Sequence, residues 1–322
     1  MALNTLRRLT RLDEFGLIVG LILLVLLVGV PNPALFSLGS LKSILRDGAF
    51  IAIMAFGMVY LIAMVEIDLS IGATYAISAM LAALMIETGV DPWLAVGAAL
   101  LLGTVLGALN GWLTILLDVP LIIVSLGTLS VFYGLNLIIS GARPVYGMPR
   151  DHAFFQIFGG EFLGLPAPTW VMLALGIAMH VVLYRSRFGA TVRAIGSNHN
   201  AAQFLGIRMN RVRIAATAIM GLLCAISGVL TLAYFKAVDP ALGTAKELQV
   251  IAAVVIGGTS LAGGSGTLLG ALLGVLIISV IQSGIVFFGV DPNYGRFITG
   301  AVILAAIALD RVLKRRQSNA TA

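Results

Sequence analysis

The chain has 322 residues, of which 60% are hydrophobic and only 11% are charged, and its mean hydropathy is +1.06. Soluble globular domains carry about 25% charged residues, so this composition excludes a soluble enzyme and indicates an integral membrane protein. The net charge is +6, but the basic residues lie near the ends and in one internal loop, without the interleaved aromatic residues of a nucleic-acid groove. The single cysteine, Cys224, lies in an apolar segment and excludes a disulfide framework or a thiolate metal site.

Apolar segments long enough to cross a bilayer recur along the whole chain and predict an all-α integral membrane protein with about ten transmembrane helices. The predicted spans are 15–30, 48–65, 70–88, 93–117, 120–140, 167–184, 214–235, 248–262, 267–289 and 296–310. The first span follows three arginines, as in a signal peptide, but no small-x-small cleavage site follows it, so we expect it to be retained. We predict one transmembrane domain over residues 1–322.

An even number of spans places both termini on the same side of the membrane. On this threading, that side holds thirteen lysines and arginines, and the other side holds seven: the thirteen are Arg7, Arg8, Arg11, the six arginines of residues 185–213, Arg311, Lys314, Arg315 and Arg316. The positive-inside rule therefore predicts cytoplasmic termini and a cytoplasmic loop over residues 185–213. Residues 141–166 become an external loop, which either lies along the membrane interface or forms a docking surface. Ten spans also permit two inverted five-helix halves.

A glycine-rich stretch, Gly257 to Gly270, joins the eighth and ninth predicted spans. It lacks the lysine of a phosphate-binding loop, and no strand precedes it, so we do not expect it to bind ATP. Glycine permits left-handed backbone and close helix contact, which predicts a tight cytoplasmic turn. The residues assigned to this turn are Gly257, Gly258, Gly263, Gly264 and Gly266.

The chain shows no catalytic or metal-binding pattern. Its three histidines, His152, His180 and His199, are scattered, and neither a nucleophile elbow nor a zinc-binding H-E-x-x-H motif occurs. We therefore expect no catalytic residues, no metal and no cofactor bound by this chain.

Two polar patterns are candidates for a solute pathway. The stretch "MVEIDLSIG" places Glu66, Asp68 and Ser70 between the second and third spans. At the membrane surface these acids would be ordinary solvated groups, whereas inside the membrane they would be buried charges with a function. The fifth and ninth spans add polar or aromatic side chains that either bond neighbouring helices or line a path for a hydroxyl-rich solute: Ser125, Thr128, Phe132, Tyr133, Asn136 and Gln282.

The basic loop over residues 185–213 contains the signals of a short helix. Asn198 can cap its start, apolar residues follow at Ala201, Ala202, Phe204 and Leu205, and Gly206 can end it. Two interpretations remain open for this loop. It presents a small apolar face to a cytoplasmic partner, or it is a basic juxtamembrane loop attracted to anionic lipid.

The chain carries three motifs, namely "IDLSIG" from Ile67, "GSNHNAAQFLGI" from Gly196 and "VVIGGTSLAGGSGTLLG" from Val254. In this order they resemble the permease subunits of bacterial ABC importers for ribose, xylose and related sugars, and the similarity covers about residues 35 to 313. Just before the first motif, Val65 and Glu66 stand where this family usually has small residues such as glycine.

The resemblance implies a non-catalytic subunit in the bacterial inner membrane. Its implied partners are a second permease subunit, identical or different, an ATPase subunit with tandem domains on the cytoplasmic face, and a periplasmic sugar-binding protein. The implied coupling helix, which would contact the ATPase, comprises Asn198, Asn200, Ala201, Ala202, Phe204, Leu205, Gly206 and Ile207. The alternative function is an ion-coupled carrier that acts alone, with Glu66 and Asp68 as its coupling site. A lipid-modifying enzyme would need a reaction centre that the sequence lacks.

Overall fold

The chain folds into a bundle of α-helices in the computed structural model, which describes residues 14–291, 294, 295, 297, 300 and 301. The helices are α1 Phe15–Gly29, α2 Leu38–Ala63, α3 Ile71–Glu87, α4 Pro92–Leu117, α5 Leu121–Ser140, α6 Ala153–Gly159, α7 Ala167–Arg185, α8 Arg187–Ser197, α9 His199–Phe204, α10 Met209–Phe235, α11 Lys246–Ile256 and α12 Leu268–Phe287. A 3-10 helix covers Pro33–Phe36, and strands β1 (Glu161–Phe162) and β2 (Leu165–Pro166) form a short antiparallel hairpin.

Among the described residues, six helices are long and apolar enough to cross a membrane, namely α2, α4, α5, α7, α10 and α12. The helices α1 and α3 are shorter but also apolar. These helices confirm the prediction of a helical membrane protein. The number ten is not established, because the predicted span 296–310 lies almost wholly outside the described residues.

Two of the predicted spans differ most from the helices that form. Helix α2 begins at Leu38, ten residues before the predicted start, because Ser37 caps it and its Oγ accepts the N–H of Ser40 at 3.2 Å. Helix α11 ends at Ile256, six residues before the predicted end. Its 11 residues rise about 16 Å at 1.5 Å per residue, so α11 alone cannot cross a hydrocarbon core of about 30 Å.

Glycines allow the central helices to approach closely. Gly103 and Gly107 of α4 face Gly221 of α10, and a methyl group at any of these positions would overlap backbone atoms of the facing helix. Gly270 and Gly274 of α12 face α11 in the same way. Close backbone approach supplies dispersion where lipid offers no hydrophobic driving force. These small residues are therefore helix-packing contacts.

The segment over residues 185–213 is more helical than its sequence indicates. In addition to the predicted short helix, residues Arg187–Ser197 form α8, which turns the apolar residues Val192 and Ile195 inward. The side chain of Ser186 caps α8 by accepting the N–H of Gly189 at 3.1 Å. Helix α8 was not predicted from the sequence, because arginines on its outer face lower the apolar content of the segment.

The helix bundle has two chemically different ends. We call one the arginine end, and it holds residues 64–70, 118–120, 186–208 and 257–267. The backbone N–H of Gly264 ties the last of these segments to the end of α2 by donating to the backbone oxygen of Ala63 at 2.9 Å. The opposite end holds residues 30–37, 88–91, 141–166 and 236–240. Ion pairs tie residues 141–166 to nearby helices: Glu161 pairs with Lys42 of α2 at 2.6 Å, and Arg143 pairs with Glu87 of α3 at 2.9 Å.

Candidate functional site

The segment over residues 64–70 leaves α2 at the arginine end and turns into the bundle before α3 begins. Asp68 is only 2% exposed. Its Oδ1 accepts the N–H of Ser70 at 2.8 Å and the hydroxyl of Ser70 at 2.7 Å. Asn110 of α4 donates through Nδ2 to the Ser70 hydroxyl oxygen at 2.7 Å and lies 3.4 Å from Oδ2 of Asp68. The inward alternative for Asp68 therefore holds, and this carboxylate organises the turn that starts α3.

Glu66 occupies a different environment from Asp68. It is half-buried at the arginine end and pairs with Arg213 at the start of α10, with Nη2 of Arg213 2.6 Å from Oε1 of Glu66. The preceding residue, Val65, has a φ of 65°, which is strained for a β-branched side chain. A glycine at this position would adopt the same backbone without that strain.

The polar face of α5 packs against the chain in this structure. The hydroxyl oxygen of Ser125 accepts the N–H of Leu69 at 2.9 Å and so holds the 64–70 segment. Thr128 bonds its own helix by donating to the backbone oxygen of Ser125 at 3.3 Å, and Phe132 is buried in an apolar cluster with α3 and α4. Asn136 is fully buried and donates to the backbone oxygen of Pro240 at 2.8 Å. These side chains therefore contact the chain itself: Ser125 and Asn136 bond non-helical segments, Thr128 bonds its own helix, and Phe132 packs against apolar residues of α3 and α4.

The remaining two candidates of the fifth and ninth spans are placed differently. Tyr133 lies at the wall of a cavity beside α5. Gln282 is half-buried on α12, which packs on α1, α2 and α11. The structure therefore does not bring Gln282 together with the α5 face.

A second non-helical segment, residues 236–245, mirrors the first from the opposite end. It leaves α10 at Phe235, forms an isolated bridge between Val238 and Val145, and turns inward to start α11. Gly243, at a φ of 90°, meets Gly72 at the start of α3 so closely that a methyl group on either would overlap the other's backbone oxygen. Two short helices thus begin next to each other inside the bundle. This segment was not predicted, although the run "DPALG" from Asp239, just before an amphipathic helix, is a usable sequence signal.

Two cavities lie toward opposite ends of the bundle. One, of about 360 Å³, opens at the arginine end, and Glu66, Thr114, Asp118, His199 and Arg213 contribute its polar walls. The other, of about 430 Å³, lies toward the opposite end between α5 and residues 239–244. The close approach of Gly72 and Gly243 lies inside the bundle, where the two non-helical segments meet.

The short helix predicted in the basic loop is confirmed as α9. The Oδ1 atom of Asn198 caps it by accepting the N–H of Ala201 at 2.9 Å, and Gly206 follows with a φ of 74°. Phe204 and Leu205 are 91% and 79% exposed. The position of Ala202 differs from the exposed face expected for it, because this residue is 2% exposed and packs into the core.

The other members of the predicted coupling helix surround these residues at the arginine end. Asn198, Asn200, Ala201 and Gly206 are exposed, and Ile207 is half-buried. The structure thus presents a capped helix with an apolar tip, flanked by arginines.

The glycine-rich stretch forms the predicted turn between α11 and α12. Gly258, Gly263 and Gly264 have positive φ angles, and Gly257 and Gly266 pack where a methyl group would meet neighbouring atoms. The hydroxyl of Tyr184 donates to the backbone oxygen of Gly266 at 2.9 Å. In the part of the chain that the structure describes, no group of three or more His, Cys, Asp or Glu side chains could hold a metal ion.

Comparison with known proteins places the chain in a transport family. Residues 40–307 match the family described as "Branched-chain amino acid transport system / permease component". The chain is 39% identical over 301 residues to the ribose import permease protein of Bacillus subtilis (strain 168), which covers 93% of each chain. It is 34% identical over 295 residues to the ribose import permease protein of Escherichia coli (strain K12), covering 91% of this chain and 92% of the relative.

A third relative carries a different sugar in its name. The D-allose transport system permease protein of Escherichia coli (strain K12) is 32% identical over 305 residues, covering 94% of this chain and 93% of the relative. No solved structure matches the chain. From the family match and these relatives, which span nearly its whole length, the chain belongs to the family of membrane-embedded permease components of transport systems.

Proposed function

We propose that this chain is the non-catalytic membrane subunit of an ABC importer that carries a monosaccharide, or a similar polyhydroxylated solute, into the bacterial cytoplasm. Its relatives named for ribose and allose support a sugar over the amino acids in the family description. The comparisons support this function and do not support an ion-coupled carrier that acts alone. Glu66, one of the two acids that this alternative needs, pairs with Arg213.

The single observation that carries the proposal is the exposed apolar tip of α9. Phe204 and Leu205 project from the arginine end and are left largely uncovered by the described residues. Exposed apolar residues that cluster beside cations are typical of a protein contact. In this proposal α9 is the coupling helix, and a separate ATPase subunit with tandem domains binds it and hydrolyses ATP.

The same assignment sets the orientation and the remaining partners. Six arginines lie in residues 185–213, so the positive-inside rule makes the arginine end cytoplasmic. Both termini are then cytoplasmic in a ten-span, inner-membrane domain over residues 1–322, in two inverted halves that each contain one non-helical segment. The opposite end, with residues 141–166, faces the periplasmic sugar-binding protein, and a second permease subunit, identical or different, completes the pathway.

Reconstitution tests the function directly. Proteoliposomes that contain the permease, the ATPase subunit and the binding protein should take up D-ribose or D-allose only when ATP is present on the arginine-end side. Uptake by the permease alone that collapses with an ion gradient would support the carrier instead. ATP-driven uptake of L-leucine without either sugar would overturn the substrate class.

A pair of leucine variants tests the coupling helix. Leu205→Asp should weaken co-purification with the ATPase subunit by about 30-fold, the effect of losing an interface residue worth about 2 kcal/mol. Leu163→Asp is the matched control, because Leu163 is 76% exposed but lies at the opposite end. Equal ATPase binding by both variants would remove the coupling role of α9. Ala202→Asp is unsuitable for this test, since a charge at a buried position would disturb folding itself.

A further inference from the structure

The cavity at the opposite end of the bundle has the composition of a small sugar site. Three side chains contribute polar groups to its wall: Tyr133 from α5, and Asp239 and Thr244 from the segment that turns into the bundle. Its apolar wall includes Leu137 and Pro240. Carboxylate and hydroxyl groups bond sugar hydroxyls, while apolar side chains cover the C–H faces of the ring.

Two of the polar groups have bonding capacity that the chain does not use. The Oδ1 atom of Asp239 accepts the N–H of Ala241 at 2.7 Å, which leaves Oδ2 available. The hydroxyl of Tyr133 is buried toward Thr244 and forms no hydrogen bond of normal geometry with the described residues. A buried polar group without a partner costs free energy, and a ligand that supplies the partner recovers it.

The charge of the wall discriminates between solute classes. Asp239 is its charged side chain, and no lysine or arginine belongs to the lining. An amino acid would bring a carboxylate that needs a cation, whereas a neutral polyol needs only hydrogen-bond donors and acceptors. The wall therefore fits a sugar better than it fits a branched-chain amino acid.

The floor of the cavity connects it to the proposed translocation step. Thr244 lies next to Gly243, whose backbone meets Gly72 at the start of α3. Asn136 pins the same segment through the backbone oxygen of Pro240. A solute in this cavity would thus contact the segment that closes the bundle beneath it.

We propose that the cavity between α5 and residues 239–244 is a monosaccharide subsite of the permease, in which Asp239 and Tyr133 bond hydroxyl groups of the sugar above the closed Gly72 and Gly243 contact. This assignment rests on the proposed function and names where the solute binds on the permease after release by the binding protein.

Cysteine protection tests the subsite on the full chain. The only native cysteine, Cys224, is buried, so a thiol reagent reports an introduced cysteine. Thr244→Cys should react with a membrane-impermeant thiol reagent. D-ribose at about four times its Kd should slow the reaction about fivefold, because only unoccupied sites react. Leu163→Cys, outside the cavity, is the control and should react at the same rate with and without D-ribose.

Single-atom variants separate sugar bonding from structure. Tyr133→Phe and Asp239→Asn should each raise the D-ribose concentration that protects Thr244→Cys by about tenfold, the loss expected for one hydrogen bond. Tyr146→Phe is the matched control, because Tyr146 is exposed and does not line the cavity.

The outcomes distinguish the subsite from the proposed function. ATP-driven sugar uptake by the assembled importer without any protection of Thr244→Cys would overturn the subsite alone. Protection by L-leucine but not by D-ribose would overturn the sugar assignment. If the wild-type permease, assembled with the ATPase subunit and the binding protein, shows no ATP-driven sugar uptake, the proposed function itself is overturned.

Discussion

Substitutions of the buried Asp68 can distinguish a structural role of its carboxylate from a role of its charge in transport. Its Oδ1 atom accepts two hydrogen bonds from Ser70 at the start of α3. Asp68→Ala leaves the N–H and the hydroxyl of Ser70 without this acceptor inside the bundle. Each buried donor without a partner costs about 1–3 kcal/mol, so we expect the free energy of unfolding to fall by about 2–6 kcal/mol.

Asp68→Asn should behave differently, because the amide keeps one carbonyl oxygen for Ser70. Its new N–H₂ group faces Nδ2 of Asn110, which lies 3.4 Å from the replaced oxygen. Two donors that face each other cost at most one hydrogen bond, about 1 kcal/mol. ATP-driven uptake should therefore survive in Asp68→Asn at a temperature where the protein is folded.

The buried Cys224 provides the assay. A fluorogenic thiol dye reacts with this residue only when the bundle opens, so the midpoint of the thermal transition in detergent reports stability. Asp118→Asn is the control, because Asp118 is exposed at the same end. Wild-type stability of Asp68→Ala would refute the structural argument. Loss of uptake by a stable Asp68→Asn protein would show instead that the charge itself is used.

The remaining predictions use the same thermal assay. Gly107→Ala should destabilise the protein by about 1–3 kcal/mol, because the methyl group meets the facing α10 backbone. Gly97→Ala is the control in the same helix and should be neutral or stabilising, because the space around Gly97 is open. Equal effects of the two variants would contradict the packing argument. Arg213→Ala should lower the free energy of unfolding by about 1–2 kcal/mol, a value between those of exposed and buried ion pairs. Glu66→Gln should lower it less, because the glutamine oxygen still accepts a hydrogen bond from the guanidinium. A larger loss for Glu66→Gln than for Arg213→Ala would contradict this. Val65→Gly should raise stability by about 1 kcal/mol by relieving its positive φ, and a loss would exclude strain there.

Local signals in the sequence predicted most helices well. The apolar run that begins at Pro92 became α4 with nearly the predicted ends. Asn198 capped α9, and the glycine-rich stretch became a turn. These features depend on hydrogen bonds within a few residues and on the length of apolar segments, which a sequence displays directly. The same signals failed for α8, where arginines on one face concealed a helix.

The depth of the two non-helical segments was decided only by the tertiary structure. Glu66 and Asp68 are two residues apart, yet one pairs with Arg213 at the arginine end and the other is buried beside Asn110. The bond from Leu69 to Ser125 joins residues 56 apart in the chain, and the bond from Asn136 to Pro240 joins residues 104 apart.

The sequence by itself therefore determined that this chain is a helical membrane protein, where most of its helices lie and that one basic segment carries a capped helix. Hydropathy and capping are properties of neighbouring residues, so they can be recognised in the sequence without knowledge of the fold. The tertiary structure alone decided that Ala202 points inward while Leu205 points outward, and that Gly72 meets Gly243. Burial and backbone approach depend on which distant helix supplies the neighbouring atoms, and no local pattern encodes that choice.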